Sequence, residues 1–410
     1  MMDLIKYEFL KLAKRKSSLA VVLAGLVVTA LLFMLPALQS KYYTQDGAVE
    51  GIAGVATERA DVEATAGLLT GDLIAQNVEE YQRLFDDPAN VGTDGSEEYI
   101  IGGAYWDFVA PRERMLQLIA ANYDDPGDFR GLSTLRSLDR AACEDFYRAR
   151  DEKIALTLEN PSRKLTEDAK AYWSSMGDSV AEPFDYGWFK GWDVILASFE
   201  LLVFAILAVC IALAPAFAGE YTAGTDAVIL SSRYGKSKLA HAKIIAAYLF
   251  GLAAFTLIAA IALAIPLVSF GLDGWDKPVQ ISNTVIPYNL TFLQATLLNL
   301  GVIYLVLGGM IALTLLLSSE LKSPYLVLVV LVPLLFLPLF LTPSGTAGVY
   351  NQTLFLLPYR ATMPELSKFI TYQMGPLVMD AFTMRAVIYL AIIAICVPLS
   401  ARFFKRHQVS

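Results

Sequence analysis

Six long, uninterrupted apolar runs constrain the fold of this 410-residue chain more than any other feature. A helix crosses a bilayer with roughly 20 mostly apolar residues, because each residue rises about 1.5 Å across a hydrocarbon layer of about 30 Å. Every run has at least 19 residues, which is enough to cross. The sequence therefore predicts an all-α integral membrane protein with six transmembrane helices, the first in 19–39 and the other five in 193–410. The runs are Leu19–Leu38, Val194–Ala218, Ile244–Phe270, Leu290–Ser318, Pro324–Thr342 and Ala386–Phe404.

Basic residues beside the runs predict which helix ends face the cytoplasm. Lys14 and Arg15 precede the first run, and Lys405 and Arg406 follow the last one. The segment 219–243, after the second run, contains four further Lys and Arg residues. Basic segments beside spans remain on the cytoplasmic side of a membrane. We therefore expect a multi-pass protein with both termini and the segment 219–243 in the cytoplasm.

The first 18 residues have the pattern of an amphipathic helix. Met2, Ile5, Phe9 and Leu12 fall on one helical face, whereas the basic residues lie elsewhere. A helix of this kind lies in the membrane interface with its apolar face in lipid. The alternative is a plain cytoplasmic extension of the first span. We expect residues 1–18 to be a cytoplasmic amphipathic helix.

A polar block separates the first two spans. Residues 40–190 hold 29 of the 40 acidic residues but only 15 of the 32 basic ones. Apolar residues recur there at helical spacing, as at Leu135, Leu138 and Ala142. We predict a mainly helical extracellular domain over 40–192. Its acidity argues against nucleic acid as a partner, because phosphate binding needs a basic surface.

The segment 343–385, before the last span, contains two apolar pieces too short to cross a membrane. They are Leu354–Leu357 and Met374–Met379. Short apolar pieces interrupted by Pro and Gly are typical of half-helices that enter the outer leaflet, which is tolerated where the backbone is buried in protein. The alternative is a pair of helices lying on the membrane surface. Both remain open at this point.

Glu200 is the acidic residue within the second predicted span. A carboxylate inside a bilayer costs a few kcal/mol unless it is paired or faces water. One interpretation is that Glu200 lines a transport pathway or pairs with another group. The other is that it lies near enough to the outer interface to reach water.

The basic segment 219–243 carries the most specific motif in the chain. It contains Gly235-Lys236-Ser237, but a phosphate-binding loop needs another glycine five residues earlier, where this chain has Leu230. The order Glu-x-x-x-Gly-Thr, Leu-Ser-Ser-Arg and Ala-Lys resembles instead the first cytoplasmic loop of type-2 ABC exporter permeases. The matching positions are Glu220, Gly224, Thr225, Leu230, Ser231, Arg233 and Lys243.

The resemblance extends to the whole architecture, and 182–192 is similar to the entry of the second span in Gram-positive members with a large extracellular domain. It implies a permease in a bacterial plasma membrane, formed by two copies or by one copy and a homologous permease. It also implies that 219–243 is a coupling loop that docks on a separate ABC ATPase. The large block departs from the simpler drug and polysaccharide permeases, so the resemblance leaves the substrate open.

The chain is expected to bind no cofactor of its own, since ATP would be bound by the partner subunit, and to contact membrane lipid. No hydrolase triad or zinc signature occurs in the sequence, which argues against an enzyme. The alternative function is a membrane-anchored sensor or scaffold that signals through its extracellular domain.

Overall fold

The computed structural model describes residues 1–95, 97–124, 130–224 and 238–406. Helices dominate this part of the chain, and its strands form two-stranded antiparallel pairs. In chain order, the helices are α1 (Met2–Lys14), α2 (Lys16–Leu38), α3 (Gly51–Ala64), α4 (Gly71–Arg83), α5 (Gly102–Ala104), α6 (Ala110–Tyr123), α7 (Arg140–Glu144), α8 (Phe146–Glu159), α9 (Glu167–Asp178), α10 (Lys190–Ser198), α11 (Val203–Leu213), α12 (Pro215–Thr222), α13 (Ala240–Phe270), α14 (Phe292–Glu320), α15 (Pro324–Phe340), α16 (Val349–Leu356), α17 (Pro358–Ala361) and α18 (Ala381–Arg406). The strands are β1 (Lys41–Thr44), β2 (Gly47–Glu50), β3 (Gly67–Leu68), β4 (Val91–Asp94), β5 (Glu97–Ile100), β6 (Asp185–Tyr186), β7 (Thr371–Met374) and β8 (Leu377–Asp380).

Five helical stretches of the described chain are long and apolar enough to cross a membrane. They are α2, the stretch Lys190–Thr222 that combines α10 to α12, α13, α14 and α18. The predicted span Pro324–Thr342 forms the shorter helix α15, with 17 residues and internal prolines at Pro333 and Pro338. It is roughly 26 Å long at 1.5 Å per residue. The mainly helical membrane fold is confirmed, with five long spans and one shorter apolar helix.

The second apolar stretch lies at the centre of the bundle. Its middle helix α11 contacts α2, α13, α14 and α15, and α14 packs along α18. Helices approach closely where one residue is small. A Cβ added to Gly25 would lie 2.5 Å from the Cβ of Ala208, and one added to Gly309 would lie 2.6 Å from the ring of Tyr389. These glycines are therefore required for the contacts of α2 with α11 and of α14 with α18.

The polar block forms a mainly helical unit between α2 and α10. It contains α3 to α9 and three of the strand pairs. The pair of β3 with β6 joins Gly67–Leu68 to Asp185–Tyr186, so a segment near the start of the block meets its end. The next helix begins at Lys190, slightly before the predicted boundary at 192.

The connections between apolar helices divide into two groups at opposite ends of the bundle. At the block end, the connections 271–291 and 341–380 contact the polar block, as in the hydrogen bond from Trp173 Nε1 to Thr371 Oγ1 (2.8 Å). At the other end, which we call the loop end, Thr222 Oγ1 donates to Lys322 O at 3.2 Å. The helix α15 joins the two ends, since it follows Lys322 and precedes the connection 341–380.

The segment 343–385 contains one apolar helix pair and a hairpin. The first apolar piece, Leu354–Leu357, lies at the end of α16 and is followed by the single-turn helix α17. The second piece, Met374–Met379, was expected to be helical, and this expectation was wrong. It belongs to the antiparallel hairpin of β7 and β8, whose turn contains Gly375 with φ of +60°. Glycine adopts this left-handed backbone conformation without strain, which favours a turn over a helix.

The N-terminal helix also differs from the expected arrangement. It ends at Lys14, and the first apolar helix begins at Lys16 rather than at residue 19. Its apolar face packs on protein: α1 lies against α13, and the rings of Phe9 and Phe250 are 6.4 Å apart. The face that was expected to enter lipid is therefore largely occupied by a neighbouring helix, apart from Met2, which is exposed.

Candidate functional site

Two acidic and two basic side chains meet at the loop end of the bundle. Glu8 and Lys11 come from α1, Glu220 from α12, and Lys243 from the first turn of α13. The Lys243 Nζ lies 2.8 Å from Glu220 Oε1 and 3.1 Å from Glu8 Oε2. The Lys11 Nζ lies 2.5 Å from Glu220 Oε1. We call these four residues the charge network, and it connects the N-terminal helix to both ends of the segment 219–243.

Three members of the charge network are largely removed from solvent, whereas Lys11 is half exposed. The side chain of Lys243 is 3% exposed, and those of Glu8 and Glu220 are each 9% exposed. Lys243 also donates to Ala216 O at 3.3 Å, which gives its ammonium group three acceptors. Burial acts to lower the pKa of Lys11, but the hydrogen bond and the charge of Glu220 outweigh it, so this pKa is raised. Within the network, each carboxylate is therefore compensated by an ammonium group.

The charge network brings together two of the residues predicted in the coupling loop. Glu220 and Lys243 are 23 positions apart, and their ion pair closes the base of the loop. Gly224 follows α12 with φ of +65°, a left-handed conformation that ends many helices and that glycine adopts without strain. Thr225 and Arg233 lie outside the described residues.

A second set of contacts fixes the end of the central apolar stretch. Pro215 has no backbone N–H, and α11 ends at Leu213, just before α12 begins at this proline. The Ser318 hydroxyl of α14 donates to Ala214 O (2.7 Å) and accepts from the backbone N–H groups of Phe217 and Ala218 (3.0 Å each). Tyr221 also donates to Ser319 O at 3.1 Å. The position of α12, and with it Glu220, is therefore determined by α14 as well as by the charge network.

Glu200 lies at the block end of the central stretch, within a 3-10 turn over Phe199–Leu202. Its carboxylate accepts a hydrogen bond from Tyr359 of α17, and burial together with the charge of Glu200 raises the pKa of that phenol. Glu200 is half-buried. The structure thus gives it a partner, as one predicted alternative requires, and its partial exposure agrees with the other.

A fully buried arginine ties the last apolar helix to the segment before it. Arg385 of α18 donates to the carbonyls of Phe355 (3.1 Å), Arg360 (3.0 Å) and Met363 (2.7 Å). These carbonyls lie at or just beyond the ends of α16 and α17, where helices leave carbonyl groups without partners. One turn further along α18, Tyr389 donates to Leu356 O at 2.9 Å.

An aromatic cluster joins the polar block to both connections at the block end. The ring of Trp173 lies 5.4 Å from that of Phe369 and 5.8 Å from that of Tyr288, in edge-to-face geometry. The Tyr288 hydroxyl donates to Asp380 Oδ2 at 3.0 Å, and Asp380 Oδ1 accepts from the backbone N–H of Thr383 in the first turn of α18. Burial and the charge of Asp380 raise the pKa of Tyr288. The start of α18 is therefore connected to the polar block.

The polar block also holds the connection 271–291 through a buried arginine. Arg150 donates from Nε to Thr284 O (2.9 Å) and from Nη2 to Ile286 O (3.4 Å). Burial lowers the pKa of this guanidinium. The same connection borders an open cleft of about 840 Å³, whose walls include Tyr42, Glu58 and Lys190. The cleft has charged groups of both signs, many of them in ion pairs.

Sequence reasoning missed Glu8, Ser318 and Arg385. The signal for Glu8 was present, because it falls three residues after Ile5 and four before Leu12, on the apolar face of α1. Arg385 was overlooked because the last run was counted from Ala386, one residue beyond it. Ser318 stood at the end of an apolar run, and its sequence neighbours do not reveal that it contacts a distant helix.

The chain matches a known protein family. The family described as "ABC-2 family transporter protein" matches residues 2–409 of the chain. No curated protein and no solved structure matches it.

Proposed function

The chain belongs to the ABC-2 family of transporter proteins, and on that premise we propose that it forms a substrate export pathway with a second permease chain and is driven by separate ATPase subunits. Membership of the family makes it a permease of the membrane, and its apolar helices make it a multi-pass protein. The observation that carries the proposal is the match over residues 2–409. The location that we propose is a bacterial plasma membrane.

The proposed topology has six crossings, with the polar block outside and both termini inside. Its support is the division of the connections between the two ends of the bundle. Segments that bond to one another lie on the same side, so 271–291 and 341–380 accompany the polar block. The loop end carries the basic segment 219–243, which the positive-inside rule assigns to the cytoplasm. In this topology the short helix α15 is the fifth crossing.

Introduced cysteines test the topology. The native Cys143, Cys210 and Cys396 are all buried, so they give little background labelling. In intact cells, a membrane-impermeant maleimide is expected to label Asp46→Cys, in the exposed turn between β1 and β2. Lys322→Cys, at the loop end, should be labelled only after the cells are permeabilised. The opposite pattern would invert the topology, and labelling of both sites in intact cells would contradict the three crossings between them, by Lys190–Thr222, α13 and α14.

The coupling loop is the proposed point of contact with the ATPase. Glu220 is too buried to offer much contact surface, so we assign it the role of positioning the loop through Lys243 and Lys11. Arg233 is the charged residue that we propose for contact with the ATPase. In this arrangement, movement of the loop is transmitted directly to α12 and α13, and through α1 to the start of α2.

Alanine substitutions in the loop distinguish residues that contact the ATPase from residues that position the loop. Arg233→Ala is expected to weaken ATPase association by about 2 kcal/mol or more, as truncation of a desolvated charged contact does, without changing the melting temperature. Glu220→Ala should reduce both association and thermal stability, because it removes a partner from the buried network. Co-purification of the ATPase and ATP hydrolysis measure association, with Lys236→Ala as the matched control, which we expect to stay within about 0.5 kcal/mol. Wild-type association in both the Glu220 and the Arg233 variants would remove this loop from the mechanism.

A further inference from the structure

The first helix has a second face that the charge network and the packing on α13 leave exposed. With the two residues that follow α1, it carries four basic residues outside the charge network and two exposed apolar side chains. The basic residues are Lys6, Lys14, Arg15 and Lys16, and the apolar ones are Tyr7 and Leu10.

The protein itself leaves most of this positive charge uncompensated. Lys6, Lys14, Arg15 and Lys16 form no ion pair with any residue in the described ranges. The two acidic residues of α1 are divided between its faces: Glu8 points inward to Lys243, and only Asp3 shares the exposed side. The exposed face therefore has a strong net positive charge.

The position of this face relative to the bilayer follows from the next helix. α1 ends at Lys14, Arg15 has an extended backbone with ψ of 116°, and α2 begins at Lys16. α2 is long and apolar enough to span the membrane. The basic residues before it therefore lie at the level where the hydrocarbon layer of the membrane begins. Clusters of four to eight basic residues beside a span bind anionic lipid headgroups, and the exposed Tyr7 and Leu10 are suited to the headgroup boundary.

We propose that the exposed face of α1 binds the headgroups of anionic lipids. The same helix supplies Glu8 and Lys11 to the charge network, which holds the base of the coupling loop. Lipid bound to the exposed face of α1 would stabilise the position of α1 and, through these two residues, the position of the coupling loop. Coupling to the ATPase is therefore proposed to depend on the negative charge of the lipid, and this second part rests on the proposed permease function.

Lipid binding is tested on the permease alone, without any ATPase. The triple variant Lys6→Gln/Lys14→Gln/Lys16→Gln leaves the four residues of the charge network intact. Native mass spectrometry from mixed micelles compares retention of phosphatidylglycerol with that of phosphatidylcholine. Each basic residue near an anionic surface contributes about fivefold to binding, so the preference for phosphatidylglycerol should fall on the order of 100-fold.

The matched control removes three exposed positive charges from the same end of the bundle but not from α1. It carries Lys322→Gln, Arg402→Gln and Arg406→Gln, and should keep most of the wild-type preference. Equal loss in both triple variants would overturn the proposal, because the effect would then follow net charge and not this face. Wild-type retention in the α1 variant would overturn it as well.

The consequence for coupling is measured with the ATPase complex in nanodiscs. Wild-type ATP turnover should be higher with phosphatidylglycerol present than with phosphatidylcholine alone, and the α1 variant should lose this difference while still co-purifying with the ATPase. If the α1 variant lost the ATPase in lipid-free detergent while retaining phosphatidylglycerol, the face would be a protein contact and the proposal would fail. If the wild-type complex showed no ATP turnover in any lipid, the proposed function would fail while the measured lipid binding remained.

Discussion

Replacing Lys243 by methionine is expected to destabilise the protein by about 3–5 kcal/mol, the usual effect of removing one partner from a buried ion pair. Methionine fills a similar volume but removes the ammonium partner of Glu8 and one ammonium partner of Glu220. Thermal unfolding of the detergent-solubilised protein, followed by tryptophan fluorescence, measures the loss. Co-purification of the ATPase should fall in parallel, because the base of the coupling loop is no longer closed.

Two further variants show whether the charge network is the cause. Lys243→Met combined with Glu8→Gln should recover part of the stability, since one of the uncompensated carboxylates is removed. Lys322→Met, an exposed site at the same end of the bundle, should stay within about 0.5 kcal/mol of wild type. A Lys243→Met protein that melts like wild type would show that the buried contacts of this lysine contribute little.

Arg385→Met is the second substitution with a large expected effect. The guanidinium makes charge-assisted hydrogen bonds to three carbonyls at the ends of α16 and α17, and hydrogen bonds to charged groups contribute about 1.5–3 kcal/mol each. The contributions are not additive, and we expect a net loss of about 3 kcal/mol or more in the free energy of unfolding. Thermal unfolding measures it.

Arg385→Lys distinguishes charge from geometry in this site. Lysine keeps the positive charge but lacks the planar fork that reaches several acceptors at once, so it should recover only part of the stability. Arg402→Met, on an exposed position of the same helix, is the matched control and should be near neutral. If Arg385→Lys were indistinguishable from wild type, a positive charge alone would suffice at this position.

The sequence predicted the features that depend on local composition. The lengths of the apolar runs alone were sufficient to locate all five long helices. The helical spacing of apolar residues predicted helices in the polar block. The ordered motif in 219–243 led to the family that matches the whole chain. The exact boundaries were less accurate, as at Lys16 and Lys190, because polar residues that flank a span continue its helix.

The missed features depend on contacts between residues far apart in the chain. Glu8 and Lys243 are 235 positions apart, and no periodicity within either helix indicates that they meet. The partners of Arg385 were recognisable only from the positions of α16 and α17, because the carbonyls that it binds lie at or just beyond the ends of these helices. The apolar piece Met374–Met379 was assigned to a helix from its composition, although the glycine and proline at its centre also fit a hairpin turn.

The shortness of α15 has a consequence for the membrane around it. At 17 residues it is roughly 26 Å long, against about 30 Å for a typical hydrocarbon layer. In the proposed six-crossing topology, lipids beside this helix must thin locally, or the chain after Phe340 must remain within the hydrophobic layer. The neighbouring stretch Lys190–Thr222 is much longer, at 33 residues. Its polar ends, at Lys190 and Glu220, reach the cleft of the polar block and the charge network, so its extra length lies outside the hydrocarbon layer. The mismatch therefore concerns the lipids beside α15, and it carries a modest free-energy cost for each ångström.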